Sequence, residues 1–556
     1  MRVVDDRKTS AVFRAVMPLA LVVLTAMIYL NTLGNGFVYD DHSQIIRNPW
    51  IKDIRYLPSV FSSHSFGFLN NSAVPQSYRP MVFVVYMLEY AAFGLQPRGW
   101  HLLNSVFHAV NSVMVFALLL RLLDGYRRGD WQEAPVMRYL PPFFGAVLFA
   151  VHPVNSEPVS WVGCVPELLY TFLCLTILYS HVKTSGIRHS RDFNNIRYSV
   201  LTSLLFFLAI LFKETAVFLP AVILVYDYMT AEDGRFLTRQ RVVSYIPYAA
   251  ACAAYIAVRI SAIGHLAPER LHHSYLSVFQ NLLNAPVLLA GHLTHLIFPA
   301  DMPFQLFAPV LSVYEPKFLL SVAFISAASA LVMLFWKKVH PLYIIALFLI
   351  LLPLIPTLYT SAISLFPHAD RYLYFPSIGL SLFLSTALKR FMDYSLKNGR
   401  RRYVWGVAGL FMAVAIFFSW SAEKRSLVWK DDFTLWSMSA DGGPENYFAL
   451  YNIGIVYFTQ NRMDEGIRKM EESLEANKLR AHPDKTMLIG AHSSLARAYK
   501  EKGLIQKAAE EYREILRFFP EDGQALLNLK ALCAEMEPAE GLVPEVCSIS
   551  ARMPPL

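Results

Sequence analysis

From the N-terminus to about residue 421 the chain alternates long apolar runs with short polar connections. Each run is near the twenty residues needed to cross a hydrocarbon core of about 30 Å. The first, Val16 to Leu33, follows MRVVDDRKTSAVFRAVM and has no small-residue cleavage site before Asn35. It reads as an uncleaved span with its basic end in the cytoplasm. With this first span at 15–34, further spans are expected at about 99–123, 140–158, 163–182, 198–213, 215–230, 244–263, 318–336, 341–358, 372–389 and 403–421. That makes roughly eleven transmembrane helices. Two apolar stretches break the rhythm. Residues 78–94, YRPMVFVVYMLEYAAFG, are short, begin with Arg-Pro and hold Glu89, so an interfacial helix on the outer surface is expected. Residues 276–299 carry Asn281, Asn284, Pro286, His292 and His295, and are expected as a re-entrant or surface segment on the same side.

Beyond residue 422 the apolar runs stop and Glu, Lys, Arg and Asp reach the density of a soluble domain. The chain therefore divides into a membrane domain, 1–422, with a long first outer loop at 35–98, and a soluble domain, 423–556. Within the latter, residues 444–530 resemble tetratricopeptide repeats, helix-turn-helix units of about 34 residues. One copy supplies His492, Leu495, Ala496, Tyr499, Ala508, Tyr512 and Pro520; the other supplies Leu450, Ile453, Gly454, Tyr457 and Gly466, with Met470 in place of the usual aromatic. The insertion KLRAHPDK lengthens the exit from the first hairpin, and Gln524 to Cys533 is expected as a capping helix. Such arrays hold partners in a concave groove, with Asn452, Tyr457, His492 and Tyr499 as candidate lining residues; a structural cap is the alternative. The fold class is all-α, a polytopic membrane protein with a C-terminal α-solenoid.

Composition agrees: 55% of residues are hydrophobic and 17% charged, with mean hydropathy +0.37. The net charge of +8 does not indicate nucleic-acid binding, because the excess Lys and Arg sit in short loops between spans. Placing those loops inside leaves the N-terminus in and the C-terminus out. Of five cysteines, Cys164, Cys174 and Cys252 lie in or beside spans. Cys533 and Cys547 flank a short acidic loop and are candidates for a disulfide if the tail lies outside.

Polar chemistry collects on the outer face. The segments are NGFVYDDHSQIIRN with Asp40 and Asp41, VHPVNSEPVSWV with His152 and Glu157, and Glu167 just beyond. LLFKETAVF adds Lys213 and Glu214, and LFPHADRYLYFPS adds His368, Asp370 and Arg371. His101, Asn104, His108 and Asn111 share one face of the second span, where they either line a cavity or seal a helix interface. Acids and cations together suit sugar transfer from a phosphate-linked lipid. A carboxylate, Asp40 or Asp41, would deprotonate the acceptor hydroxyl. Lys213, Arg371 and Arg79 would neutralise the departing phosphate. Two Asp and a His in separate loops give no metal-binding spacing, so no metal or cofactor is assigned, though a divalent cation stays open.

The motifs NGFVYDD, YRPMVF followed by GWHLLNSVFHAVN, HPVNSEPVSWV, FKETAV, ADRYLYFPSIG and EKRSLVWKDDFTLW resemble the transmembrane and tetratricopeptide-repeat O-mannosyltransferases and their bacterial relatives. The resemblance implies a core of the GT-C glycosyltransferase type, a polyprenyl- or dolichyl-phosphate hexose donor, mannose as the transferred hexose, and inversion at the sugar carbon. Asp40 and Asp41 match the family's acidic pair; His152 and Glu157 match the second-loop motif; Lys213, Glu214 and Arg371 match the later ones. One departure stands out: Gly163-Cys164-Val165-Pro166-Glu167 replaces the Gly-Arg-Ala-Asp common after the His-Pro motif.

The resemblance points to a bacterial inner membrane with a periplasmic C-terminus, or an endoplasmic-reticulum membrane with a lumenal one. Partners are then the bilayer, the lipid-linked sugar, and a protein or glycan acceptor. The competing readings are a catalytically inactive scaffold whose repeats recruit proteins, and a transferase acting on lipid or envelope glycan. A reporter fused after Leu556 is expected to score on the outer side; a cytoplasmic score would reverse the topology.

Overall fold

A computed structural model describes residues 6–69, 77–125, 135–185, 195–231, 238–265, 275–299, 304, 306–335, 338–359, 366–441, 443, 446–480 and 482–536. Among them the regular structure is helical throughout. The chain forms two compact units, Met1–Asp301 with Phe307–Lys430, and Met302–Leu306 with Asp431–Leu556. The second unit starts later than the composition change at 423, because the helix ending at Ser426 and the turn through Trp429 belong to the first unit.

In the first unit α1 is Asp6–Tyr29, α2 Pro80–Phe93, α3 Pro97–Gly125, α4 Pro135–Val151, α5 Val165–Ser185, α6 Asn195–Phe212 and α7 Leu219–Met229. Then come α8 Arg239–Ile263, α9 Val278–Ile297, α10 Pro316–Phe335, α11 Pro341–Leu354, α12 Pro376–Lys397 and α13 Arg401–Ser426. A helix lies at each of the eleven expected spans. By length and hydropathy, seven segments can cross a membrane: Ser10–Gly34, Pro97–Gly125, Val162–Thr184, Arg241–Ile263, Pro316–Phe335, Pro341–Leu358 and Arg401–Trp429. The other four differ for visible reasons. Val136–Val151 and Arg197–Phe212 are apolar but short, and α7 has only 11 residues after a 3-10 turn at Glu214–Phe218. In α12 the residues Ser377, Ser381, Ser385 and Thr386 are buried, so its polar face turns into the protein. The third expected span stops at Val151 rather than 158, because Pro153 begins a 3-10 turn, followed by the five-residue helix Ser156–Ser160.

The stripe on α3 seals helix interfaces. His108 bonds the Tyr374 hydroxyl at 2.9 Å and the Ala150 carbonyl at 3.0 Å. Asn111 donates to the Leu168 carbonyl at 3.0 Å and to the Tyr374 hydroxyl at 3.1 Å, and Asn104 donates to the Trp161 carbonyl at 3.0 Å. His101 lies 3.2 Å from the Gly36 carbonyl, tying α3 to the segment after α1. Buried polar side chains in a membrane domain need such partners. Here they also place three inter-span segments around one helix.

Small residues allow the tightest crossing. A Cβ on Gly145 in α4 would stand 1.9 Å from Ser385 Oγ and 2.9 Å from the Ser381 carbonyl of α12. Those are contacts that no repacking of one side chain relieves.

The second unit contains α14 Asp432–Ala440, two hairpins, α15 Tyr447–Thr459 with α16 Met463–Lys478 and α17 Lys485–Glu501 with α18 Ile505–Phe518, and α19 Gly523–Met536. Asn461 and Gly503, both at positive φ (60° and 75°), turn the two hairpins at matching positions. Only Gly and Asn adopt that conformation cheaply. Gly466 lets the Phe458 ring lie within 2.4 Å of where a Cβ would be, closing the first hairpin. Cys533 is disulfide-bonded. Its expected partner, Cys547, lies outside the described residues. Cys164, Cys174 and Cys252 are free.

Gly145→Ala is expected to cost about 1–3 kcal/mol, read as a lowered unfolding temperature in detergent. Gly34→Ala, where a Cβ meets nothing within 4 Å, is expected to leave it unchanged.

Candidate active site

The segment after α1 turns sharply into the acidic pair: Tyr39 has φ 54°, a strained conformation for a residue with a side chain. The two acids that follow have different surroundings. Asp41 is buried, its Oδ2 accepting from the Val38 amide at 3.1 Å and its Oδ1 from the Trp161 indole N–H at 3.0 Å. Asp40 is half-buried, and its carboxylate accepts no hydrogen bond among the described residues. Burial pushes Asp41 up to about 8 in spite of its two donors, with the neighbouring Asp40 adding to the rise. Burial raises Asp40 as well, but the field of Arg371 holds it to about 6. At neutral pH the pair therefore shares one negative charge, carried by Asp40.

Trp161 links this loop to the next segments. Its ring stacks on Trp429 with centroids 5.4 Å apart and planes 10° from parallel. Tyr39 packs against it at 5.6 Å, and the Arg371 guanidinium lies 5.5 Å from its ring centre. Arg371 bonds Glu157 at 2.5 Å through Nη1 and at 3.3 Å through its amide.

The neighbouring Tyr372 has a cation on each account: Arg371 at 5.1 Å and Lys213 at 5.3 Å from its ring centre. Lys213 is buried and bonds Glu167 Oε1 at 2.7 Å. Arg79 grips Glu214 through two bonds of 2.9 and 2.7 Å. Arg79 holds the Glu214 carboxylate down at about 2, against the burial that would raise it.

Among the expected residues, Arg371 and Glu157 thus bond directly, Asp41 is joined to Arg371 through the Trp161 ring, Asp40 lies in the field of Arg371, and Lys213 is joined through Tyr372. Arg79 and Glu214 pair with each other. His152 and His368 belong to another group. His152 caps the turn after α4 and meets Phe418 edge-on at 4.9 Å; His368 packs on Gly291 between His292 and Phe307. Beside them Asp370 bonds His295 at 2.6 Å and Arg425. Among the described residues, no three His, Cys, Asp or Glu side chains converge to hold a metal.

Four candidate groove residues of the second unit are tied up in helix packing instead. His492 is buried and bonds Glu511 at 2.6 Å; Tyr499 is buried and donates to Glu471 at 3.0 Å. Asn452 donates to its own helix at Phe448, and the Tyr457 ring is covered by Arg462 at 4.3 Å. These are positions that a helical hairpin closes first.

Sequence reasoning missed the roles of Trp161, Tyr372 and Glu167. Trp161 and Tyr372 stand within two of the recognised segments, so their position was signalled but not their function. Glu167 pairs with a lysine 46 residues later, which no local spacing reveals.

Fold and site together define an all-α, multi-pass membrane protein whose inter-span segments converge on an acidic pair and paired cations. No family model matches the chain. It is similar to protein O-mannosyl-transferase TMTC3 of Mus musculus, 24% identical over 532 residues, covering 88% of this chain and 54% of that protein. The human protein of the same name is 24% identical over 90% of this chain and 54% of its own length. Protein O-mannosyl-transferase F38B6.6 of Caenorhabditis elegans is 25% identical over 84% of this chain and 62% of its own length. The chain spans about half the length of the first two proteins to which it is similar.

Lys213 and Glu167 form a buried ion pair, so removing one partner leaves an uncompensated charge. Glu167→Gln is expected to cost roughly 3–5 kcal/mol, seen in thermal unfolding, and adding Lys213→Met should recover much of that loss.

Proposed function

We propose that this protein is a membrane glycosyltransferase that moves a hexose, mannose in the first instance, from a polyprenyl- or dolichyl-phosphate donor to a hydroxyl of a protein acceptor. The observation that carries the proposal is the division of the acidic pair. Asp40, ionised at neutral pH and accepting no hydrogen bond among the described residues, stands in the field of Arg371. Asp41 is held by two N–H donors.

In this reading Asp40 takes the proton of the acceptor hydroxyl while its oxygen attacks the sugar carbon. The carbon–oxygen bond to the lipid phosphate breaks on the opposite face, inverting the centre. The phosphate leaves with the bonding pair. Lys213 and Arg371 stabilise that charge. Each already bonds a carboxylate, but an ammonium has three N–H donors and a guanidinium five, so donors remain for phosphate. Asp41 positions Asp40 through the Val38 and Trp161 bonds and needs no proton transfer of its own.

A GT-C-type core, an outer-face site and an outer-side C-terminal domain complete the proposal. The bonded Cys533 supports that side, since disulfides persist in oxidising compartments. The names of the relatives support mannose and a protein acceptor. In the catalytically inactive alternative, nothing would call for an acid kept unbonded beside a cation.

The test is transfer from polyprenyl-phosphate-mannose to a Ser/Thr peptide by the purified full chain. Asp40→Asn is expected to lose about 10²–10⁴-fold in rate with normal expression, whereas Asp41→Asn should lose less. The rate of the wild type should fall as pH drops through about 6, where Asp40 takes up its proton. An active Asp40→Asn enzyme would remove the proposed base.

A further inference from the structure

We propose that Trp429 is a positioning residue for the acidic pair, acting through the ring of Trp161, within an exit segment, residues 425–430, that clamps the surroundings of the pair. The effect on rate rests on the transferase reading; the effect on Asp41 does not.

The motif EKRSLVWKDDFTLW spans the end of the first unit at Lys430 and the return of the second at Asp431. Helix α13 ends at Ser426, and a 3-10 turn carries Leu427–Trp429. Four ties leave this short stretch. Arg425 bonds Asp370, the neighbour of Arg371. Ser426 Oγ accepts from Asn31 Nδ2 at 2.6 Å, where the chain leaves α1. The Lys430 carbonyl accepts from the Gly36 amide at 2.8 Å, on the way into the acidic pair. Trp429 is buried and stacks on Trp161 with planes 10° apart. The exit segment thus touches the approach to the pair, the indole that donates to Asp41, and the turn carrying the cation whose field reaches Asp40.

Of these ties the ring stack acts most directly on an acid. The Trp161 indole donates to Asp41 Oδ1 at 3.0 Å, and such a bond weakens as the donor tilts off line. Tyr39 meets the Trp161 ring at 47°, whereas Trp429 lies flat along it and sets its plane. A smaller side chain at 429 frees that plane. Asp41 also faces Asp40, His42, Tyr86 and Glu89. Against that background the indole favours the anion, so loosening it moves the Asp41 carboxyl further above the ordinary carboxylate range.

The test uses the purified full chain in nanodiscs and dicyclohexylcarbodiimide, which modifies protonated buried carboxyls, over a pH series. Modification of Asp41 is read by fragment-ion mass spectrometry. In the wild type it should fall as pH rises through about 8. Trp161→Phe, which keeps a ring and deletes the N–H, should move that midpoint up by about one pH unit. Trp429→Leu should move it up by about half a pH unit, and Trp429→Phe, a smaller ring in the same place, by less. In the Trp161→Phe background Trp429→Leu should add nothing, because no indole N–H remains to misplace. In the transfer assay Trp429→Leu should lower kcat about tenfold with the donor KM unchanged, and Trp429→Phe should keep most of the rate. A midpoint unmoved or lowered in both Trp429 variants, or moved as far in the Trp161→Phe background, would overturn the proposal. A moved midpoint without sugar transfer overturns the transferase reading alone; transfer with an unmoved midpoint overturns this one alone.

Discussion

An ion buried away from water must find its counter-ion inside the protein, and that constraint organises the first unit. Three cations near the site are each paired with an acid from a distant part of the chain. Arg371 reaches Glu157 across 214 residues, Arg79 reaches Glu214 across 135, and Arg425 reaches Asp370 across 55. The first two pairs pin two inter-span segments each, and the third pins an inter-span segment to the end of α13, where apolar packing alone would leave the partners interchangeable. Hydrophobic contact specifies little between helices whose other surroundings are equally apolar. Ion pairs and side-chain hydrogen bonds such as those of His108 and Asn111 are directional, so they decide which loop lies beside which.

The same economy explains how three cations can be kept ready without destabilising the protein. Unpaired, each would face a desolvation cost of several kcal/mol. Paired, each spends only part of its donor set. Tyr372 adds a second device, since its ring lies near both Lys213 and Arg371 and offers a negative face to each. Two like charges can thus be held close with less mutual repulsion. Glu157 and Glu167 anchor the outer ends of this arrangement.

Helices were legible because a twenty-residue apolar run has few alternatives in a membrane protein. All eleven expected spans coincide with helices, although α7 and α12 lack the length or apolarity of a simple span. Hydropathy marks neither the 3-10 turn that shortens α7 nor the side to which the serines of α12 face, since they are read as polar whether they face lipid or protein. Candidate site residues were legible as types and loops, but not as pairs. A sequence shows that Glu157 and Arg371 are unusual near a bilayer; it does not show that they bond. In the second unit the residues expected to line a groove are engaged in packing for a related reason. The residues that define the repeat, His492 and Tyr499 among them, are those that pack the hairpin, and packing removes them from the surface.

Adjacent acids in one short loop would ordinarily be equivalent. Here the backbone makes them different, beginning with the left-handed Tyr39. The reversal there brings the Val38 amide onto Asp41, and the indole of Trp161 closes the other oxygen. Those two donors would favour an anion, yet desolvation outweighs them and the proton settles on Asp41. Asp40, with no donor among the described residues and Arg371 nearby, keeps the charge. The asymmetry therefore depends on residues more than a hundred positions away, Trp161 for one acid and Arg371 for the other. An acidic pair divided this way exists only when the second and later inter-span segments have docked, so the charge state of the acidic loop is a property of the assembled membrane domain.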